Sequence, residues 1–449
     1  MACSRQPRHA TRPCPPAPPA GATRNRTFSV HERSWYAVSH PAPTTAGLGE
    51  IDIYSADAYE DGIPHESFAT LRRESPVHRH PDPEVPDGFW AVTRHADVVQ
   101  VSRNPEVFSS YERLSLLQEP VGDSLDTQRM MMLNMDPPEH SRLRNIVNRG
   151  FTPRTTLTLE GKVEAACERI VDAAIEQGEG DFVTMCAAEL PLVVIADLMG
   201  VPQEHRHRLF HWSNKLVGAE DPDMGEGPEA GAAIQMEMFQ YADQLGAEKR
   251  ACPVDDIVSK LVQPDRDGNE LTALEFDLFF MLLAVAGNET TRNAISGGML
   301  ALIEHPDQWA RLKADPEGLA ATAADEIVRW VSPVNAFRRT AVQETELGGQ
   351  KIAAGDKVIV FYGSANRDES VFADPYTFDI GRDPNPMLGF GGGGPHFCLG
   401  RHLAKLELEI MFRTLAQKID RVELTGPARR MRSNFLNGVK DMPVRIVPA

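Results

Sequence analysis

The sequence has no closely spaced cysteine pair, no excess of positive charge and no apolar run long enough to cross a membrane. Its six cysteines are scattered over 449 residues without a Cys-x-x-Cys motif, which argues against a zinc site or a disulfide framework and suits a reducing compartment. The formal net charge of −18 argues against nucleic acid as a partner. Because no segment has the apolar core of a signal peptide or of a membrane span, we expect a soluble, cytoplasmic protein without a transmembrane segment.

Residues 1–45 also lack the aliphatic side chains that a folded core requires. Five prolines fall between positions 13 and 19, among several arginines. Such a segment cannot bury enough apolar surface to offset the entropy of ordering it, so we predict a disordered extension or the product of an upstream start codon. An organellar transit peptide is the lesser alternative, because proline is so dense. With 42% hydrophobic residues in the chain, residues 46–449 are predicted to form one domain.

The rest of the chain shows neither internal repeats nor the strand–helix alternation of a parallel α/β fold. Helical periodicity dominates, and short strands are predicted at Phe89–Thr93 and Val358–Tyr362. The expected fold class is mainly α with small β-sheets. Between 109 and 128 the periodicity fades into a long loop of the kind that often covers a ligand. Its Leu116 and Leu117 are candidates for substrate contact, with ordinary packing as the alternative.

Residues 389–405 place a run of glycines directly before a cysteine and a helix. The glycines leave the backbone open to close approach by a large flat molecule. Cys398 lies where the loop meets the helix N-terminus, and unpaired amides there favour a thiolate over a thiol. A thiolate beside a flat cofactor is what a haem-thiolate iron site requires. The alternative is a buried, inert cysteine in a glycine-rich turn.

The longest helical pattern runs from Thr272 to His305 and contains unusual residues at its centre. Thr272 and Glu275 form a capping box at its start. The centre reads Ala-Gly-Asn-Glu-Thr-Thr, and its buried carboxylate is costly unless it has a partner or a function. Thr290 is expected to bond the carbonyl group one turn back, which loosens the helix. The local opening could admit a small ligand beside a cofactor; a water-filled kink is the alternative.

Two pairs of polar residues lie at helical spacing elsewhere in the chain. His140 and Arg144 are four residues apart on one face, and two cationic donors suit an anionic group such as a cofactor carboxylate. Glu326 and Arg329 are three residues apart, which brings their charges together. Each pair alone also fits an ordinary solvated helix surface.

Taken together and in this order, the Ala-Gly-x-Glu-Thr-Thr helix, the Glu-x-x-Arg pair and a glycine loop with His-x-Cys-x-Gly resemble the cytochrome P-450 family. The resemblance extends from near residue 50 to the end of the chain. It implies one catalytic domain over 46–449 with the fold of that family, in which haem lies between a long central helix and the helix after the cysteine loop. It also implies a haem-thiolate monooxygenase that oxidises an unactivated C–H bond of a lipophilic substrate.

Finer stretches are similar to bacterial steroid side-chain hydroxylases of this family, which act on the terminal methyl group of cholesterol and cholestenone. Relatives acting on methyl-branched lipids share several of them, so hydroxylation of methyl-branched fatty acids or terpenoids is the alternative. A peroxygenase or a non-catalytic haem- or lipid-binding protein fits the acid and threonine of the long helix less well. The stretches begin at Met132, Leu209, Ala284, Glu304 and Arg432.

The resemblance also implies roles for individual residues. Cys398 would be the axial thiolate ligand of the iron in haem b. Glu289 and Thr290 would be the catalytic residues, which manage protons during dioxygen activation. One departure is Gly391, which stands where the family commonly has an aromatic residue and leaves the shielding role of Phe390 open. The residues implied to bind haem are His140, Arg144, Ala286, Gly287, Arg339, Phe390, His396, Cys398 and Gly400.

The remaining assignments concern folding, substrate and electron supply. Glu326, Arg329 and Arg382 would form a buried ion-pair network beneath the haem. No flavin or iron–sulfur domain fits in the chain, so electrons from NAD(P)H would arrive through a separate ferredoxin and ferredoxin reductase. A basic patch after the cysteine could steer an acidic ferredoxin, or could be a solvated helix face; its residues are Arg401, His402 and Lys405. Candidate substrate contacts, with core packing as the alternative, are Leu116, Leu117, Val285 and Phe435.

Overall fold

The structure is a computed structural model of the chain. Residues 1–45, predicted to be disordered, lie outside the part that it describes. All described residues belong to one compact unit. The residues described are 47–119, 124–217, 228–254, 256–264 and 268–449.

Helices dominate the described chain, as the periodicity predicts, and the expected fold class is confirmed. Their apolar faces pack into one large core around the longest helix. The helices are α1 (His65–Glu74), α2 (His95–Arg103), α3 (Ser124–Arg129), α4 (Glu139–Val147), α5 (Pro153–Leu157), α6 (Glu160–Gln177), α7 (Glu189–Met199), α8 (Arg206–Val217), α9 (Pro228–Ala251), α10 (Ile257–Leu261), α11 (Ala273–Glu304), α12 (Pro306–Ala314), α13 (Pro316–Val331), α14 (Tyr362–Ala365) and α15 (Arg401–Lys418).

The strands form small sheets at the edges of this helical core. The largest has the order β1-β2-β8-β5-β3, with β2 and β8 parallel and its other neighbours antiparallel. The strands are β1 (Val77–His80), β2 (Phe89–Val92), β3 (Phe108–Ser109), β4 (Glu179–Asp181), β5 (Ala336–Ala341), β6 (Thr345–Leu347), β7 (Gln350–Ile352), β8 (Lys357–Phe361), β9 (Ile419–Leu424), β10 (Arg429–Arg430), β11 (Val439–Asp441) and β12 (Pro443–Pro448).

Helix α11 passes through the core, where α7, α8, α9, α13 and α15 pack against it. It begins with the predicted capping box: the Thr272 hydroxyl accepts from the Glu275 amide at 3.2 Å, and the Glu275 carboxylate accepts from the Thr272 amide at 2.8 Å. Its 32 residues span about 48 Å. The middle of α11 therefore lies deep inside the protein, far from either end.

The Glu-x-x-Arg pair on α13 lies in the interior and not on a solvated surface. Glu326 and Arg329 are completely buried and joined by two hydrogen bonds of 2.7 Å. Arg382 donates to the same carboxylate at 3.2 Å. Arg329 also donates to three backbone carbonyl groups, those of Asn366, Pro375 and Thr377. This network ties α13 to the coil that leads into the cysteine loop.

The structure changes one prediction about the segment between 109 and 128. Part of it is helical, because α3 begins at Ser124; residues 120–123 lie outside the described part. Helix α3 contains one apolar residue, Leu125, so no apolar spacing indicates a helix there. Within the described residues, no helix combines the length and the apolar character that crossing a membrane requires.

Candidate active site

A cavity of about 250 Å³ lies between the middle of α11 and the cysteine loop. Its lining combines the Cys398 thiol, four basic side chains and the small residues of the Ala-Gly-x-Glu-Thr-Thr segment with a larger apolar set. Segments predicted from widely separated motifs thus meet at one site. Phe390 and Gly400, two of the haem-binding candidates, also line the cavity.

The glycines of the cysteine loop allow it to pass close to its neighbours. Gly391, Gly393 and Gly394 have positive φ angles of 101°, 89° and 73°, which side chains rarely tolerate. A Cβ atom on Gly394 would lie 2.2 Å from the backbone oxygen of Ser102 in α2. The loop closes with a 3.0 Å hydrogen bond from the Cys398 amide to Phe390 O. The cysteine is thereby fixed one turn before α15.

Burial raises the pKa of the Cys398 thiol, contrary to the expectation from its helix-terminal position alone. The Gly400 and Arg401 amides and the charge of Arg144 act in the opposite direction, but their effect is smaller. A bound metal cation would hold this sulfur as a thiolate. In the part of the chain that is described, no cluster of three or more His, Cys, Asp or Glu side chains could hold a metal ion. In a haem-thiolate site, the prosthetic group supplies the other ligands of a metal held by one cysteine.

Four basic residues form a cluster on the cavity wall, in which His140 and Arg339 are buried and Arg144 and His396 are half-buried. The rings of His140 and His396 are 4.3 Å apart. Their atoms His140 Nδ1 and His396 Nε2 are buried and have no hydrogen-bond partner among the described residues. Arg339 and Arg144 each donate to a backbone carbonyl at 2.6 Å, those of Arg338 and Phe397.

Burial dominates the electrostatics of this cluster. It lowers the pKa of Arg339, of Arg144 and of both imidazoles, that of His140 to about 4. Basic groups and unsatisfied ring nitrogens so enclosed would be stabilised by an anionic partner.

These observations fit haem. The propionate groups would satisfy the basic cluster, the glycine loop would allow close approach of the macrocycle, and Cys398 would supply the axial ligand. The resemblance predicted this set of residues, and the structure brings them together around one cavity.

The centre of α11 faces the same cavity through four small residues. Ala286, Gly287, Thr290 and Thr291 line it, and the Thr290 hydroxyl donates to Ala286 O at 2.7 Å, as predicted. A Cβ atom on Gly287 would lie 2.9 Å from Ile195 Cδ1. The missing side chain thus lets α7 pack closely against α11 beside Thr290.

Glu289, the other predicted catalytic residue, is not among the residues that line the cavity. Its side chain is 1% exposed and pairs with Arg292. Ser213 of α8 donates to its carboxylate at 2.8 Å, and Asn288 donates at 3.2 Å. The carboxylate is therefore held on the side of α11 that packs against α8.

The four candidate substrate contacts also lie outside the cavity lining. Leu117 is completely buried in a separate hydrophobic cluster with strand residues of the largest sheet. Phe435 packs against that same cluster, and its ring is 5.4 Å from Phe337, which does line the cavity. Leu116 and Val285 are partly buried. The position of Leu117 therefore agrees with ordinary core packing, which was the alternative to a substrate contact.

Several lining residues were missed, because nothing local marks an apolar side chain as facing a cavity. Glu407 of α15 is another omission: it lines the cavity, and its Oε2 is buried with no hydrogen-bond partner in the described chain. Burial raises the pKa of Glu407 to about 8. In the sequence, only its position nine residues after Cys398 could have indicated that Glu407 lies near the site. The missed apolar residues include Met132, Leu133, Ile195, Phe279, Leu282, Leu283, Val334 and Phe337.

Comparisons with known proteins identify relatives over most of the chain. The family model of cytochrome P-450 matches residues 319–435. The chain is 46% identical to a steroid C26-monooxygenase of Rhodococcus jostii, over 88% of this chain and 84% of that one. It is 43% identical to a methyl-branched lipid omega-hydroxylase of Mycobacterium tuberculosis, over 91% and 97%. A Mycobacterium marinum cytochrome P-450 in complex with pseudoionone superposes with a TM-score of 0.82 at 42% identity, covering 91% and 100%.

Proposed function

Because the chain belongs to the cytochrome P-450 family and is a monooxygenase of that family, we propose that it hydroxylates the terminal methyl group of a steroid side chain. The observation that carries this proposal is the similarity to a steroid C26-monooxygenase across 88% of the chain. The apolar lining of the cavity supports a lipophilic substrate of this kind.

The substrate-facing part of the cavity offers little that could bind a polar molecule. Helix α11 contributes Phe279, Leu282 and Leu283, and Ile195 and Phe337 come from α7 and β5. Such a surface gains free energy from burying hydrocarbon, about 25 cal/mol per Å². A steroid side chain is saturated hydrocarbon, and it would bind here through contact area.

Haem b held by Cys398 supplies dioxygen activation and an oxidant strong enough for an unactivated C–H bond. His140, Arg144, Arg339 and His396 hold its propionate groups in this proposal. Ala286 has a small side chain that leaves room for dioxygen in this proposal, and Gly287, without a side chain, lets Ile195 pack closely beside it. The protein also keeps water away from the site, because the lining around these residues is apolar.

Thr290 is the residue of α11 that holds a proton beside the reacting centre in this proposal. Its hydroxyl lines the cavity and donates to Ala286 O at 2.7 Å. The bond to Ala286 O fixes the orientation of the hydroxyl. The lone pairs of Thr290 Oγ1 then remain available to accept a hydrogen bond from the group that carries the proton, either a water molecule or a protonated Glu289. Glu289 would supply protons to this hydroxyl from its buried position one residue earlier.

Electrons from NAD(P)H would reach the haem through a ferredoxin and its reductase on separate chains. The helix after Cys398 carries Arg401, His402 and Lys405 near the cysteine side of the site. Arg401 stacks on the Phe397 ring at 4.8 Å and Lys405 pairs with Asp325 at 2.8 Å. Part of this charge is thus already neutralised, and the proposed docking relies most on Arg401. Buried free thiols at Cys167 and Cys186 suit a cytoplasmic location.

A second candidate function is terminal hydroxylation of methyl-branched lipids. The 43% identity to a methyl-branched lipid omega-hydroxylase supports it. Both reactions attack a terminal methyl group beside a branch point, so the same apolar cavity suits both.

A titration of the ferric holoenzyme distinguishes these substrates. Cholestenone is expected to shift the ferric spectrum toward high spin, and reconstituted turnover should yield the terminal alcohol. The matched control is Cys398→Ser, which should lose the red-shifted Soret band of the ferrous carbon monoxide complex. A shift with methyl-branched fatty acids or terpenoids and none with cholestenone would contradict the steroid proposal.

A further inference from the structure

We propose that Ser213 and Asn214 of α8, together with Arg292 of α11, form a latch that holds the Glu289 carboxylate out of the cavity. Ser213 is then a positioning residue that sets how readily Glu289 turns toward Thr290 to deliver a proton. This inference rests on the monooxygenase function proposed above.

The latch is a set of hydrogen bonds between two helices. Ser213 Oγ donates to Glu289 Oε1 at 2.8 Å, and Asn288 Nδ2 donates to the same serine oxygen and to Glu289 Oε1, each at 3.2 Å. Arg292 binds the other carboxylate oxygen of Glu289 and donates through Nη1 to Asn214 Oδ1 at 2.6 Å. Both carboxylate oxygens are therefore occupied on the α8 side.

The hydroxyl of Ser213 holds the carboxylate and does not relay protons to it, because the group that donates to Ser213 is the non-acidic amide of Asn288. A serine has one hydroxyl proton, and Ser213 uses it on Glu289 while its oxygen accepts from Asn288. Ser213 itself is completely buried. With both functions of the oxygen engaged inside the protein, the residue fixes the carboxylate in place.

Glu289 and Thr290 are adjacent in sequence but use different partners. Thr290 faces the cavity and donates to Ala286 O, whereas Glu289 contacts α8. A proton can pass between them only after the Glu289 side chain rotates or a water molecule bridges the gap. Breaking the bond to Ser213 is the first requirement for that rotation.

Some polar atoms of the latch lack hydrogen bonds, and this reduces the stability of the arrangement in which Glu289 is held against α8. Within the part of the chain that the structure describes, Arg292 Nε and Asn288 Oδ1 are buried without a hydrogen-bond partner. Buried polar groups without partners are costly, so the advantage of the held arrangement over a rotated one is reduced. Because half of the latch lies on α8, any shift of α8 along α11 changes the hold on Glu289.

The test uses the holoenzyme with Ser213→Ala, which removes the hydroxyl, and Ser213→Thr, which retains one. A hydrogen bond to a charged group changes such an equilibrium about tenfold or more. Ser213→Ala should therefore raise the solvent deuterium isotope effect on turnover. Rotation of Glu289 transfers no proton, so once it no longer limits delivery it stops masking the proton-transfer step. Ser213→Thr should return the isotope effect to the parent value. An isotope effect unchanged in Ser213→Ala would overturn the proposal.

A double-mutant cycle measures the same contact without turnover. Ser213→Ala should lower the folding equilibrium constant about tenfold in the parent and have little effect when Glu289→Ala is already present. Thr414→Ala, which removes a buried hydroxyl bonded to Ile410 O at 2.8 Å, should act equally in both backgrounds. Equal effects of Ser213→Ala in both backgrounds would contradict the latch.

The two measurements separate this inference from the proposed function. If the parent hydroxylates no lipid, the function fails while the cycle still tests the contact between Ser213 and Glu289. If the parent hydroxylates a terminal methyl group and the cycle shows no coupling, the latch fails and the function stands.

Discussion

Two buried pairs of glutamate and arginine, each three residues apart on a helix, behave very differently in this protein. The Glu326–Arg329 pair of α13 is completely buried, and the Nε and both terminal nitrogens of its arginine donate hydrogen bonds. In the Glu289–Arg292 pair of α11, Arg292 Nε has no hydrogen-bond partner among the described residues. Ser213 and Asn214 on another helix, α8, supply further contacts of this pair. A saturated network suits a permanent structural role, whereas an unsaturated one suits a group that must move.

The largest expected effect comes from breaking the saturated pair. Glu326→Gln would leave Arg329 and Arg382 buried without a countercharge, at a cost of about 3–5 kcal/mol in the free energy of unfolding. Urea denaturation and the yield of haem-containing protein measure it. Glu317→Gln on the same helix is the matched control: Glu317 is exposed and pairs with Arg413 at 3.3 Å, so its loss should cost under about 1 kcal/mol. Equal effects of the two variants would contradict the structural role of Glu326.

Glu407 extends the comparison to a buried carboxyl group whose Oε2 has no hydrogen-bond partner among the residues that the structure describes. Burial raises its pKa in the folded protein from 4.5 to about 8. The stability it provides is thus fully present below pH 4.5 and is lost as the pH rises toward 8. The Glu407→Gln side chain cannot ionise, so the melting temperature of this variant should change less between about pH 5 and pH 8 than that of the parent. The corresponding difference in the free energy of unfolding is about a few kcal/mol. An unchanged pH profile in this variant would show that another group titrates there.

The smallest effect on stability, and a large one on catalysis, is expected at Thr290. Its hydroxyl bonds only to a carbonyl group of its own helix among the described contacts, so Thr290→Ala should change the free energy of unfolding by less than about 1 kcal/mol. The variant should still consume reductant but release peroxide in place of product. Fully coupled turnover would exclude the proposed proton role, and Thr414→Ala, which loses a similar bond, should remain coupled.

The two pairs also show which features could be predicted from the sequence and which could not. The capping box at Thr272 fixed the start of α11, and the spacing of His140 and Arg144 placed both on one face, because these features depend on local geometry. Ser213 on α8, which binds the Glu289 carboxylate, lies 76 residues away in sequence. No local sequence pattern indicates such a contact. Leu117 shows the same limit: an apolar residue in a loop suits a substrate contact or a core, and only the packing distinguishes them.

The close packing at Gly287 has a consequence for engineering the enzyme. Since Ile195 occupies the space that a methyl group on residue 287 would need, the shape of the site beside Thr290 is decided by one side chain of a different helix. Trimming Ile195 would enlarge the space at that point while leaving the backbone of α11 and its hydrogen bonds untouched. Variants at position 195 are therefore the first ones to test for activity on substrates with bulkier branched ends.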